Sequence, residues 1–202
     1  MGYKEAEGLY TEGLKEGVWK YYDFTGVITE ITTYKNGNYN GLYEKYVKNG
    51  QVISRVFLVD NKIQGIVEAY NEVGNLLYEK NIVENKQEGE TKTYYLSGEV
   101  DNKLNYKAAR LEGEQLLYYS SGIIWKKLMY KNNDLDGVYT EYHENGTLKK
   151  KGQYIAGNAA GVWMGYYDNK QLFDSGAYNN IGALVGKWVT YHRWKFVSNF
   201  HL

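Results

Sequence analysis

Histidines, carboxylates and exposed aromatic rings are the side chains of this chain that could act on another molecule. His143 and His192 stand at equivalent places in a repeating pattern, just before a turn. Asp23, Val47, Asn71, Tyr95, Tyr119 and Tyr167 fill the same place elsewhere. A general base or a metal ligand is not interchangeable with valine, so this place reads as a solvent edge. His201 is close to the C-terminus, and with no cysteine in the chain there is neither a thiolate nucleophile nor a cysteine metal cluster. No serine, histidine and acid fall together on neighbouring units, and no phosphate-cradling or zinc-ligand spacing occurs. The sequence therefore assigns no catalytic, cofactor-binding or metal-ligating residue. The chain reads as non-enzymatic.

The aromatic residues Trp19, Tyr43, Tyr139, Trp163 and Trp188 recur at one place in the pattern. They could cover one side of a sheet by packing on glycines of the next unit. They could also anchor a protein partner, because tryptophan and tyrosine dominate interface hot spots, or stack against a sugar ring. They are the candidate partner-binding residues.

Charge narrows the partner. Twenty-four basic and 24 acidic residues give a formal net charge of zero. Nucleic-acid binders carry a basic stripe to meet phosphates. The densest basic run here, Lys149-Lys150-Lys151, fits a solvated strand edge instead. Nucleic acid is excluded as a partner, and simple electrostatic binding to anionic lipid gains no support.

The elements that must position these residues follow from a period. Gly17, Gly41, Gly65, Gly89, Gly113, Gly137 and Gly161 are 24 residues apart. Counting each as position zero, position five is Tyr22, Tyr46, Tyr70, Tyr94, Tyr118, Tyr142 or Tyr166. Position nine is glycine except at Lys170, and position eleven is aliphatic, from Ile28 to Leu172. Position seventeen is mostly tyrosine, as in Tyr34 and Tyr178, and a last unit starts one residue late at Gly186. Each unit reads as a β-hairpin. A three-residue bulged turn closes on Asn-Gly or Ser-Gly, and a second turn such as Asn36-Gly37 leads to the next unit. That turn sets Tyr22 opposite Ile28 and Tyr46 opposite Val52, pairs that support a sheet. Position one, which is Val18, Leu42, Ile66, Val138 or Val162 in five units, lies on the same face. This ladder is the expected core, with the position-two aromatics on the opposite face. A lone hairpin is marginal in water, so stability must come from neighbouring units. Stacked at about 4.8 Å per strand, eight units would form an elongated ribbon on the order of 75 Å long. The fold class is all-β: an open single sheet of antiparallel hairpins, about eight units of 24 residues.

The pattern Gly-[Val/Leu/Ile]-[Trp/Tyr]-x-x-Tyr-x-x-[Asn/Ser]-Gly-x-[Leu/Ile/Val], clearest from Gly137 to Leu148 and next clearest from Gly41 to Val52, resembles the MORN repeat. It is most similar to the bacterial variant placed in a toxin–antitoxin-type MORN antitoxin family, and the likeness runs from about residue 3 to residue 191. On this reading residues 1–202 are a single repeat domain. Residues 1–16 are a partial unit, 17–185 hold seven units, and 186–202 are a truncated unit with a cap. The resemblance implies a protein-binding scaffold that neutralises a toxin or acts at the cell surface, with a partner of unknown identity. A glycan- or cell-envelope-binding module is the alternative, and a membrane-attachment scaffold the second.

The departures from the pattern carry expectations too. Val67, Thr91 and Gln115 replace the position-two aromatic, Glu90 and Glu114 replace the position-one aliphatic, and Ala108-Ala109 lacks Asn-Gly chemistry. This fits a bend, a binding face, or drift in units held by their neighbours. Lys170 should be strained if its turn is left-handed. Residues 192–202 leave the pattern and are expected to cap the last hairpin or to pair with a second chain as a homodimer. Met1 to Glu5 has no apolar signal core and the pattern opens in mid-unit. The expected location is the cytoplasm, or the envelope or exterior if a leader has been removed.

Overall fold

A computed structural model describes residues 2–193. The segment expected to form a cap lies outside the described residues from 194 onward. The described residues contain strands and turns and no helix, and neighbouring strands run antiparallel in an open sheet. The chain divides into two compact units, residues 1–110 and 111–202.

The hairpins form where the sequence places them. Strand Leu14–Tyr22 pairs with Ile28–Lys35 in the first unit, and Gly137–Tyr142 pairs with Leu148–Ile155 in the second. The turn between them holds three residues. Gly26 N–H donates to Asp23 O at 3.0 Å, and Asp23 Oδ1 accepts from the amides of Thr25 and Val27. Tyr22 pairs with Ile28, Tyr46 with Val52 and Tyr118 with Ile124, as the turn chemistry requires.

One residue further from the turn the register changes. Tyr22 opposes Ile28, but Tyr21 opposes Glu30, so Thr29 is an extra residue on the second strand. Ile53, Leu77, Asp101, Trp125, Lys149 and Phe173 are the corresponding extra residues in the other complete hairpins. Such a bulge reverses the in/out alternation of the strand beyond it. Positions thirteen, fifteen and seventeen therefore leave the face of position five and join the face of position two.

The expected core assignment is corrected by this shift. Residues at position one are 41–62% exposed in the five units where they are aliphatic. The buried face carries position two, position fifteen and position seventeen instead: Trp19, Thr32 and Tyr34 in one hairpin, Val56, Val67 and Ile82 in the next ones. Uninterrupted alternation puts the position-seventeen tyrosines with the position-one aliphatics, and the bulge separates them.

Position-zero glycines perform two tasks. Gly41 and Gly137 both have φ of 126°, a conformation that disfavours side chains. A Cβ on Gly41 would lie 2.9 Å from Thr33 Cβ, and one on Gly137 would lie 2.7 Å from Met129 Cβ. Here the paired strands change register again, between Thr32 and Tyr34 in the first case. Glycine lets the backbones approach while the chain kinks into the next hairpin.

The connecting turns place two successive residues at positive φ: Asn36 and Gly37, Asp60 and Asn61, Ala108 and Ala109, Asn132 and Asn133. Ala108 and Ala109 adopt φ of 48° and 64° without the side-chain chemistry that eases this conformation. Side chains of the preceding repeat secure these turns. Glu16, Glu88, Glu112 and Asp136 accept the backbone N–H of Asn36, Ala108, Asn132 and Ala156. Asn61, Asn85 and Asn133 accept in return from the backbone N–H of Tyr39, Ile63 and Leu111. These repeats are thus clamped to their predecessors by side chain as well as backbone.

Candidate functional site

Each candidate residue at position two projects from the middle of the first strand of its hairpin onto the face that the bulge has turned inward. Trp19 is 5% exposed and Trp163 is 4% exposed, while Tyr43, Tyr139 and Trp188 are half-buried. The indoles lie on glycines of the preceding strand. A Cβ on Gly8 would collide with Trp19, one on Gly152 with Trp163, and one on Gly176 with Trp188. In the first unit Trp19 meets Tyr10 edge-on at 4.9 Å and Tyr34 at 6.2 Å, and Tyr34 stacks on Tyr39 at 4.7 Å. In the second unit Trp163 contacts Tyr139, Tyr154 and Tyr178 at 5.3, 5.2 and 6.2 Å. These are packing contacts of a single-layer sheet, and they leave Trp19 and Trp163 little surface for a partner.

Lysines close over the same face. Lys15 Nζ lies 4.4 Å from the Trp19 ring and 5.0 Å from the Tyr34 ring, and it donates to Tyr21 Oη at 2.7 Å. Ammonium over an aromatic face is attracted by the ring quadrupole. The Tyr21 hydroxyl raises the pKa of Lys15 and keeps it charged. Where the aromatic is replaced, Thr91 and Gln115 are still buried. Gln115 Nε2 donates to the carbonyls of Glu112 and Gly113, both at 3.2 Å.

Glu141 is the one buried carboxylate among the described residues. Trp125 Nε1, Tyr139 Oη and Lys149 Nζ all donate to it, at 3.3, 2.8 and 2.9 Å. Burial pushes its pKa up, but the hydrogen bonds from Lys149 and Tyr139 outweigh that and hold it below the usual carboxylate range. Burial also raises Tyr139, as does its bond to Glu141.

Position six, expected to be a solvent edge, bridges repeats in the second unit. Tyr119 Oη donates to the carbonyl of Tyr142 at 2.8 Å, His143 Nε2 to that of Tyr166 at 2.8 Å, and Tyr167 Oη to that of Tyr191 at 2.9 Å. A carbonyl only accepts, so Nε2 of His143 carries the proton. The signal for this role, a long polar ring six residues after the glycine, is present only at these three positions and at Tyr95 and His192. Among the described residues no group of three or more His, Cys, Asp or Glu is placed to hold a metal ion.

The opposite face is laid out differently. Val18, Leu42 and Ile66 form an exposed apolar stripe in the first unit, with Phe57 beside Leu42. Arg55 flanks it, pairing with Glu44 at 2.9 Å and Glu68 at 3.0 Å. The hydroxyls of Tyr46 and Tyr70 bond the same two carboxylates. In the second unit Val138 and Val162 border an open groove of about 570 Å³ shared with Thr140, Tyr142, Leu148 and Met164.

This architecture defines a tandem β-hairpin repeat protein, with one face packed by aromatic rings and the other presenting exposed apolar side chains among charged ones. Residues 15–36, 87–108, 111–132 and 135–156 match the model of the MORN repeat variant, and the four starts are in phase with the 24-residue period. MORN repeats are in general non-catalytic modules for protein or membrane interaction. No curated protein matches the chain.

Proposed function

We propose that this chain is a non-catalytic protein-interaction module that engages its partner through the position-one face. The observation that supports the reading is the contrast within that position. Glu90 and Glu114 occupy it in two repeats, and both are exposed, so the fold does not require an apolar side chain there. Val18, Leu42 and Ile66 in the first unit, and Val138 and Val162 in the second, nonetheless stay 41–62% exposed. Exposed apolar surface rimmed by charge, such as Leu42 beside Phe57, is a mark of protein–protein contact. In the rim Glu44 and Glu68 pair with Arg55, and Glu79 and Glu90 with Lys92, so it offers no excess of basic charge to an anionic lipid surface.

Neutralising a toxin or attaching to a cell surface are particular forms of this reading, and the partner's identity separates them. Trp19, Tyr43, Tyr139, Trp163 and Trp188 then act from beneath, holding the sheet that presents the stripe. The test is affinity capture with the wild-type chain and with Ile66→Glu and Val162→Glu variants, followed by binding measurement on the recovered protein. The variants should fold with unchanged melting and bind at least about tenfold more weakly, the loss of a well-packed interface anchor. Unchanged affinity in both would move the interface off this face.

A further inference from the structure

The second unit holds a cleft on the aromatic face that packing does not explain. Lys150, Gly165 and Asp174 are cross-strand neighbours there. The place of Gly165 is taken elsewhere by Tyr21, Lys45, Ala69, Thr93, Leu117 and Glu141, so glycine removes a side chain that other repeats keep. The result is a cleft of about 300 Å³ whose walls include His143, Lys149, Lys150, Tyr167, Phe173 and Asp174. Tyr167 and Phe173 meet edge to face at 5.1 Å and supply an aromatic wall. The Asp174 carboxylate leans over Gly165, where a Cβ would strike Oδ1.

The polar groups of the cleft are balanced. Lys149 is paired with Glu141, and Arg193, whose guanidinium is 5.9 Å from the Tyr167 ring, is paired with Asp168 at 2.8 Å. Lys150 and Asp174 have no ion-pair partner among the described residues, and Lys150 Nζ rests 5.2 Å from the Trp163 ring. His143 has spent Nε2 on the Tyr166 carbonyl, which leaves Nδ1 as its one ring nitrogen open to a ligand. A bare anion would meet Asp174, and a bare cation would meet Lys150. The cleft suits an uncharged molecule with several hydroxyls and one apolar face, of a size at the low end of ligand pockets.

The geometry points to a carbohydrate subsite: one pyranose ring of a neutral saccharide sits beside the Asp174 carboxylate that covers Gly165, its C–H face on the aromatic wall. Adjacent hydroxyls donate to the Asp174 carboxylate and accept from the Lys150 ammonium. Both are charge-assisted hydrogen bonds, the stronger kind. This site is separate from the position-one stripe and binds whether or not a protein occupies that face.

The test titrates the isotopically labelled full chain with methyl β-D-glucopyranoside, methyl β-D-galactopyranoside and N-acetylglucosamine, read by amide shifts and saturation transfer. At least one sugar should shift the amides of Gly165 and its neighbours, with a Kd on the order of 1 mM, as expected for so small and open a site. Gly165 has no left-handed φ, so Gly165→Thr restores a side chain natural to this repeat position and should abolish the shifts without lowering the melting temperature. Asp174→Asn should weaken binding by about tenfold or more. The proposal is overturned if none of the three sugars shifts these amides at about 50 mM, well above that Kd. It is equally overturned if the shifts survive Gly165→Thr, or if free glycine shifts the site more strongly than any sugar, which would make it a zwitterion site.

Discussion

Positions one and two are adjacent on the same strands, yet they differ in almost everything that matters. Position two is buried or half-buried in every repeat, whether it is Trp19, Val67, Thr91, Gln115 or Trp163. Position one is exposed in every complete repeat, whether it is Val18, Ile66, Glu90 or Val162. The residue type does not decide the outcome. Position two holds a polar glutamine in the interior, and position one holds valine in water. Backbone register decides, and the lesson is that in a one-layer sheet hydrophobicity alone does not identify the core.

The largest expected effect breaks the buried side. Trp163→Ala removes an indole packed on Gly152 and three tyrosines, and it should lower stability by about 3–5 kcal/mol in denaturant titration. Val162→Ala, one residue away, should change it by less than about 0.5 kcal/mol, as for other surface sites. Similar losses from the two would contradict the face assignment. Next comes overpacking of the same site from beneath. Gly152→Ala should cost about 1–3 kcal/mol, because its methyl occupies the space of the Trp163 ring.

Two gains should follow that are smaller and independent of either face. Lys170 sits at φ 69° where other hairpin turns have glycine, and Ala109 sits at φ 64°. Lys170→Gly and Ala109→Gly should each stabilise by about 1 kcal/mol, measured as a raised unfolding midpoint. A lowered midpoint would mean that these side chains make compensating contacts. The last prediction uses acid. Glu141 has its folded pKa depressed below that of a glutamate in the unfolded chain, so its contribution is fully present above the unfolded pKa and is lost as pH falls through the folded one. Glu141→Gln should flatten the acid limb of the stability profile below pH 4.5. A limb of unchanged slope would show that other carboxylates govern it.

Much of this was legible in the residues. The recurrence of Gly17 and its successors gives the period, Asn49-Gly50 and its equivalents give the turn, and the turn gives Tyr46 opposite Val52. What the residues hide is the bulge. Thr29, Ile53, Leu77, Asp101, Trp125, Lys149 and Phe173 share no side-chain chemistry, because an unpaired backbone step makes no demand on the side chain. Without it Tyr34 is placed with Val18; with it Tyr34 joins Trp19. The glutamates before the position-zero glycine, Glu16, Glu88 and Glu112, recur visibly, but their acceptors' role needs the next repeat's turn in place. The cleft above Gly165 was the least legible, since a single glycine gains meaning only beside Lys150 and Asp174 two strands apart.

The connecting turns let such a chain change length. The insertion before Gly186 lengthens one connecting turn to three residues, closed by Gly182 N–H donating to Asn179 O and Asn179 N–H donating to Ala183 O. The strands beyond it recover their pairing, Asp174 with Thr190, and Trp188 still lands on Gly176. Because every hairpin resets its own alternation with its own bulge, a copying error in one repeat stays in that repeat. Unequal recombination can then add or delete whole hairpins, and the neighbours on either side meet a junction identical to the one they had before.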